Sequence, residues 1–400
     1  MSNVFVLGVD SPIGLSLLRD LAKNQFNTIG IGAKRSIGHA SRYCKRSVIR
    51  ADSRERVISQ LLGLGGDPKT DFLICISEGD IDLINKNRPV LTDYFTLLVP
   101  EQAQMDIVLD KYKTKQVADT LGIDTPKSYQ LRDLNELDAF AQELSFPVVL
   151  KWANPLNVQP LLSKSGIGFH KLQFAKSIEQ LKSLLSVYEK ISIYPLIQEY
   201  CDGKGLGQFF LCKAGKSYVE FQHERVHEWP PEGGTSAFCR SLPLAEHQEC
   251  LQKSKALLAR LCWSGVAMVE YRYSSDKQKY VLMEINGRFW GSSPLAIHSG
   301  AEFASNLVKL LGANQPVIQP QLSQQNCIYM IPELKRLYRI LFESNKIEDP
   351  NSHFDKSREF LTLLTAIFSR KTKYFVFSLD DPLPFFQDMT NVCKKVLRRR

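Results

Sequence analysis

At 400 residues, 44% of them hydrophobic and 23% charged, the chain has room for two or three domains with substantial cores, in the ordinary range for a globular protein. Its excess of 51 lysines and arginines over 42 acids suits anionic ligands, but there is no zinc-finger or RNP-type module, so nucleic acid is not an expected partner. No apolar run approaches the ~18–20 residues of a membrane span. The first residues lack the basic and apolar regions of a signal peptide. Nine cysteines without CxxC or CxxH spacing fit reduced thiols in a cytoplasmic protein better than disulfides or a zinc framework. Basic residues gather at 34–56 and at Lys394, Lys395, Arg398, Arg399 and Arg400. Most of this charge reads as solvated surface, with membrane-surface contact by the tail as the lesser alternative.

The first hundred residues alternate between two periods. Strand patterns at 4–9, 28–32, 71–77 and 97–100 are separated by helical patterns at 13–23, 53–62 and 80–87. That alternation predicts a parallel, doubly wound sheet. The turn Gly8-Val-Asp-Ser-Pro-Ile-Gly14 stands where such folds often bind phosphate, but it lacks full GxGxxG spacing. A tight turn that needs glycine accounts for it at least as well.

From residue 101 the character changes. Asp110-Lys111-Tyr-Lys113 opens a helix ending near Leu121-Gly122, and 123–126 is extended. Residues 146–151 form an apolar strand ending in Lys151. Such a lysine is costly to bury without an anion beside it, or else snorkels from the strand end. The following stretch 163–168, with Ser165 and Gly166, reads as a loop whose backbone N–H groups could cover phosphates. A helix at 177–188 precedes Gln198-Glu199-Tyr200-Cys201-Asp202-Gly203, a strand running into a glycine turn. An exposed backbone edge there could recognise adenine; an ordinary interdomain hinge is the alternative. Strands at 208–212 and 217–222 follow. Residues 223–236, combining His223, Arg225, His227, two prolines and two glycines, suit a mobile lid. Beyond 315 the chain is a mixed segment rich in Phe, Leu and Lys.

The segment 281–292 carries the most information. Strand alternation puts Val281, Met283 and Ile285 on one face and Glu284, Asn286 and Arg288 on the other. The run 266–272 reads as its antiparallel partner, and a hairpin symmetric about Lys277 sets Glu270 opposite Glu284. Two carboxylates in direct cross-strand contact are destabilising unless something positive lies between them. A hard divalent cation, Mg²⁺ foremost, held by oxygen ligands and a nucleotide's phosphates, is the economical explanation.

Together these pieces resemble the ATP-grasp superfamily, in its carbamoyl-phosphate-synthase-like, carboxylate–amine ligase branch, over roughly residues 1–312. The motif Glu270…Glu284-Ile-Asn286-Gly-Arg288 is the specific one; Asp110-Lys111, Lys151 with its glycine loop, and Gln198-Glu199-Tyr200 support it. The resemblance implies an α/β chain, α+β in its ligase part. A Rossmann-like pre-ATP-grasp domain (1–100) would be followed by an N-lobe (101–190), a C-lobe with the metal site (191–315) and a small C-terminal extension (316–400). It implies ATP and Mg²⁺, with Mn²⁺ as a substitute. Lys111 (or Lys113) and Lys151 would contact phosphates, covered by Ser165 and Gly166. Gln198, Glu199, Tyr200, Cys201 and Asp202 would form the adenine and ribose side, with Gln208 as a second ribose candidate. Glu270, Glu284 and Asn286 would bind metal, and Arg288 and Lys151 would stabilise the transferred phosphoryl group. His223, Arg225, Ser292 and Ser293 are the candidates for substrate contact. The implied reaction joins a small carboxylate, activated as its acyl-phosphate, to an amine, with a homodimer compatible. Phosphorylation of bicarbonate or carbamate, a nucleotide-binding regulator without turnover, and an NAD(P) enzyme confined to 1–100 are the alternatives.

Overall fold

The computed structural model describes residues 2–349 and 354–397; the expected basic cluster at Arg398, Arg399 and Arg400 lies outside them. The alternating first hundred residues form five parallel strands, β1 (Asn3–Leu7), β2 (Asn27–Gly32), β3 (Arg46–Ile49), β4 (Asp71–Cys75) and β5 (Thr96–Leu97). Their order is β3-β2-β1-β4-β5. Helix Pro12–Lys23 buries Leu15, Leu17, Leu18 and Leu21 on one face of the sheet, while Val57, Leu61, Ile81 and Ile84 from two other helices fill the opposite face. Each such side chain contributes about 1.5–3 kcal/mol by leaving water. Strand β3 is an addition to the expected set. It is an edge strand, mostly exposed, and sits inside the basic stretch where no apolar alternation announces it.

The turn after β1 serves packing. A Cβ on Gly8, whose φ is +109°, would come within 2.6 Å of Ile76, and one on Gly14 within 2.6 Å of the Val9 backbone. Ser11 caps the helix and the Asp10 carboxylate accepts from the Ala33 N–H at 2.8 Å.

The second sheet is antiparallel: β6 (Ser128–Tyr129), β7 (Val148–Lys151), β8 (Gln173–Ala175) and β9 (Leu196–Glu199), in the order β6-β9-β7-β8. Strand β9 therefore belongs with the residues before 190, not after the boundary expected there. The third sheet has seven strands, β10 (Lys204–Lys213), β11 (Lys216–Trp229), β12 (Thr235–Leu242), β13 (Gly265–Ser274), β14 (Lys279–Asn286), β15 (Asn326–Ile328) and β16 (Thr372–Tyr374). Their order is β14-β13-β10-β11-β12-β15-β16. Two strands from beyond residue 316 thus extend this sheet, so the C-terminal segment is built into the lobe.

The expected lid is mostly strand. Residues 223–229 belong to β11, and only 230–234 form the turn into β12. Alternation in His223-Glu-Arg-Val-His-Glu-Trp229 outweighs its unusual composition. The expected loop at 163–168 is likewise shortened. Helix Pro155–Lys164 runs through Pro160, and Gly166, with φ +67°, ends it in the left-handed cap conformation.

Candidate active site

The third sheet aligns Ser241, His223, Gly207, Glu270 and Glu284 in one row across five strands. Paired residues share a face, so Glu270 and Glu284 meet as the sequence predicts. The route is different from the one expected. Near the turn the register pairs Ser274 with Lys279 and Tyr271 with Leu282, which would set Glu270 against Met283. A bulge between Glu270 and Tyr271 shifts the register by one residue, bringing Glu284 across. The phase change also corrects the inward face: Leu282 and Ile285 enter the core, while Val281 and Met283 do not.

Positive groups surround the pair. Arg225 on β11 reaches over Gly207's strand to Glu270, Nη2 to Oε2 at 2.5 Å, and its Nη1 lies 3.3 Å from Glu228 Oε1. Arg272 holds the other Glu228 oxygen at 3.1 Å and donates to the Gly203 carbonyl. Two glycines on β10 make room. A Cβ on Gly205 would meet Arg225 and Glu228 at 2.9 Å, and one on Gly207 would meet the His223 ring at 2.8 Å. Burial by itself would strip charge from these groups. The carboxylates Glu270 and Glu228 nevertheless keep Arg225 protonated, and Arg272 and Arg225 hold Glu228 below its usual range.

On the other carboxylate, Lys111 Nζ lies 3.5 Å from Glu284 Oε2, and Asn286 Nδ2 donates to Glu284 Oε1 at 3.0 Å. Asp110 caps the helix Lys111–Asp119, accepting from the Tyr112 and Lys113 N–H groups, and so fixes Lys111 at its first turn. Lys113 is exposed and is not brought to Glu284. Burial would raise the Glu284 carboxyl, yet Lys111, Lys171 and Lys151 together hold it well below the usual carboxylate range. Lys151, at the end of β7, is lowered to about 8 by burial, partly offset by Glu284 and worsened by Lys111 and Arg272. Lys171, on the exposed stretch after Gly166, is a site residue the sequence reading missed; no spacing pattern ties it to β14.

Several expected residues make contacts the sequence did not announce. Arg288 has left the strand, because β14 ends at Asn286. Its Nε pairs with Glu78 Oε1 at 3.0 Å, at the first turn of a helix in the N-terminal domain. Glu78 is a second residue missed, being 210 positions away. Gln208 is buried on the far face against Gln222, since strand alternation gives the site face to Gly207 and Phe209. His223 and Ser292 are buried and face each other, and Arg225, 12% exposed in its side chain, faces Glu270. The His223 ring packs against Phe209 at a tilt, its Nε2 is 3.4 Å from Ser292 Oγ, and burial followed by Arg225 keeps it neutral. Ser293 is engaged with the Trp290 backbone.

The hinge side is tied down at both ends. Glu199 accepts from the Lys127 N–H and donates its own N–H to the Lys127 carbonyl. Tyr200 donates to Asp349 at 3.1 Å, and Asp202 accepts from the Gly203 N–H. Burial, then Glu199, pushes the Cys201 thiol up to about 11, so it is no nucleophile at neutral pH. Gln198 donates to Ser128 and, with Lys111, Met283 and Glu284, lines a 140 Å³ cavity between the second and third sheets. Ser165 and Gly166 are exposed and do not line this cavity.

Two carboxylates, an amide oxygen and converging lysines form an oxygen-rich, cation-lined cleft, the donor chemistry that suits a hard divalent ion with phosphate. No protein-family model matches the chain. It is 27% identical to the D-alanine--D-alanine ligase of Nitrosospira multiformis over 157 residues, 38% of this chain and 47% of that protein. It is 23% identical to the D-aspartate ligase of Enterococcus faecium over 264 residues, 63% of this chain and 61% of that one. The chain thus spans about half to three-fifths of these curated relatives. Among solved structures, an ADP complex of N5-carboxyaminoimidazole ribonucleotide synthetase matches with a TM-score of 0.62 at 13% identity, covering 86% of this chain and 85% of that one. The biotin carboxylase domain of the Hydrogenobacter thermophilus 2-oxoglutarate carboxylase, in complex with MgADP and bicarbonate, matches at 0.61 and 14% identity, covering 81% and 72%.

Proposed function

This chain has the ATP-grasp fold, and we propose that it is an ATP-dependent ligase joining a substrate carboxylate to an amine. The observation that carries the reading is the facing pair Glu270 and Glu284, with Lys111 3.5 Å from Glu284 and the charges of Lys171 and Lys151 also lowering its carboxyl. Both curated relatives are ligases named for amino acids, so amino acids head the set of substrates to test.

In this reading Lys111, Lys151 and Lys171 bind the triphosphate, and main-chain groups of Glu199 and Cys201 bind adenine. Glu270, Glu284 and Asn286 would hold Mg²⁺, with Mn²⁺ as a substitute, whose charge would offset that of the phosphate oxygens. The substrate carboxylate oxygen attacks the γ-phosphorus, the bond to the β-bridging oxygen breaks, and ADP leaves. The amine then attacks the acyl carbon, releasing phosphate and a proton. Lys151 and Arg288 are the charged groups offered to the transferred phosphoryl. Positioning and charge neutralisation supply the acceleration, and no protein nucleophile is needed. Arg225 acts one step back, by holding Glu270 in place.

The test is ADP release across a panel of amino acids and small carboxylates, each alone and with a second amine. Release that depends on one acid and one amine, with the ligated product seen by mass spectrometry, supports the ligase. ATP binding without turnover on any pair would leave a regulator; bicarbonate-dependent release alone would move the activity to carboxylation.

A further inference from the structure

Two helices of the C-terminal segment, Met330–Phe342 and Lys356–Phe368, carry apolar side chains on both faces. Their inner faces pack through Leu337, Leu363 and Ala366 onto Phe238 and Ile328 of the third sheet. Each helix also carries an exposed stripe off that cluster. Leu334, Tyr338 and Phe342 line the first outer face, and Phe360, Leu364 and Phe368 the second, each set at four-residue spacing. Phe342 is 72% and Phe368 79% exposed. Nothing in the fold of either helix requires these side chains, and a contiguous apolar area in water marks an interaction surface.

Charge decides what that surface meets. Lys335, Arg358, Arg370, Lys371 and Lys373 lie on or just beyond the two helices, are exposed, and form no ion pair among the described residues. Most of the nearby acids are already engaged, Glu348 being exposed and without an ion pair among the described residues. Glu333 and Glu359 face His227 and Arg336, Glu343 pairs with Lys346, and Asp355 caps its helix. The apolar stripes therefore stand among uncompensated cations. A second copy docking through the same face would oppose positive charge with positive charge. An anionic lipid leaflet offers both complements at once, hydrocarbon beneath and phosphate at the surface.

We propose that this face docks the protein on anionic membranes, with its Phe, Tyr and Leu side chains entering the headgroup–acyl boundary and its lysines and arginines meeting lipid phosphates. No helix among the described residues is long and apolar enough to cross a membrane, so the contact is peripheral.

Co-sedimentation of the full chain with vesicles of phosphatidylcholine, alone or mixed with phosphatidylglycerol, tests it. Binding to the anionic vesicles should exceed binding to neutral ones by at least about tenfold and fall in high salt. Phe342→Ser with Phe368→Ser, and separately Lys371→Glu with Lys373→Glu, should abolish it while leaving the thermal midpoint unchanged. Equal or absent binding on both vesicle types overturns the proposal, as does full binding by stably folded variants. A concentration-dependent dimer dissolved by the phenylalanine pair would assign the face to a second copy instead.

Discussion

Glu270 and Glu284 face each other across β13 and β14 only because one bulge shifts the hairpin register by a residue. Their charges are then divided between separate cations, Arg225 on Glu270 and Lys111 on Glu284. The first contact is buried within the sheet face; the second opens to the cleft, where the Glu284 side chain keeps 37% of its surface. That asymmetry assigns Glu270 to the scaffold as well as to ligand binding, and leaves Glu284 the carboxylate most available to a metal.

Replacing Glu284 by Gln should therefore abolish turnover without unfolding the protein. The expected loss in kcat for ADP release is at least about a hundredfold, the scale on which a preorganised electrostatic group acts. Steady-state kinetics with a responsive substrate pair, alongside a urea titration, would check both halves. Activity within about threefold of the parent would remove Glu284 from the mechanism.

Lys151 predicts an alkaline limb. Burial lowers it to about 8, so in the free protein it loses its proton as pH rises through that value rather than near 10. If its charge binds phosphate, kcat/KM for ATP falls above about pH 8, and bound phosphate moves the corresponding limb of kcat upward. Lys151→Arg, charged throughout, should retain nucleotide binding and lose the limb. A profile unchanged in that variant would place the titration elsewhere.

Much of this site was legible because it depends on local patterns. The strand patterns of residues 266–272 and 281–286 mark the hairpin that carries the two acids, and an apolar run ending in Lys151 places a cation at a strand terminus. What stayed hidden depends on distant packing. The Arg225–Glu270 contact was not foreseen, because sequence does not register that Gly205 and Gly207 clear a path from β11 to Glu270. Glu78 comes from a helix of the first domain and Lys171 from an exposed loop, with no shared spacing. Met283 kept its expected strand but changed face, since a bulge leaves no clear mark in the sequence.

The buried network Arg225–Glu270–Glu228–Arg272 should show itself in stability. Arg225→Gln leaves two carboxylates short of a counter-charge in a region where Arg225 and Glu228 are almost wholly buried. The expected loss is about 3–5 kcal/mol by chemical denaturation. Adding Glu228→Gln removes one orphaned charge and should recover part of it, a coupling measurable as a double-mutant cycle. Strictly additive losses would mean that the two side chains do not share a network.

A second buried charge joins the far end of the chain to its beginning. Asp381, 1% exposed, accepts from Arg19 Nε at 3.0 Å, Ser41 Oγ at 2.6 Å and the Arg42 N–H at 3.0 Å. Arg19 also donates to the Val376 and Asp381 carbonyls, so helix Pro12–Lys23 and the C-terminal segment are locked together. Asp381→Asn keeps the shape but removes the charge facing a buried guanidinium, and should lower stability by about 3–5 kcal/mol. Because the contact belongs to the first domain, hydrogen exchange should rise most in β1 and β2, with the third sheet less affected. Uniform exchange across all three sheets would make the molecule one cooperative unit; an unchanged denaturation midpoint would show that the C-terminal segment does not brace the first domain.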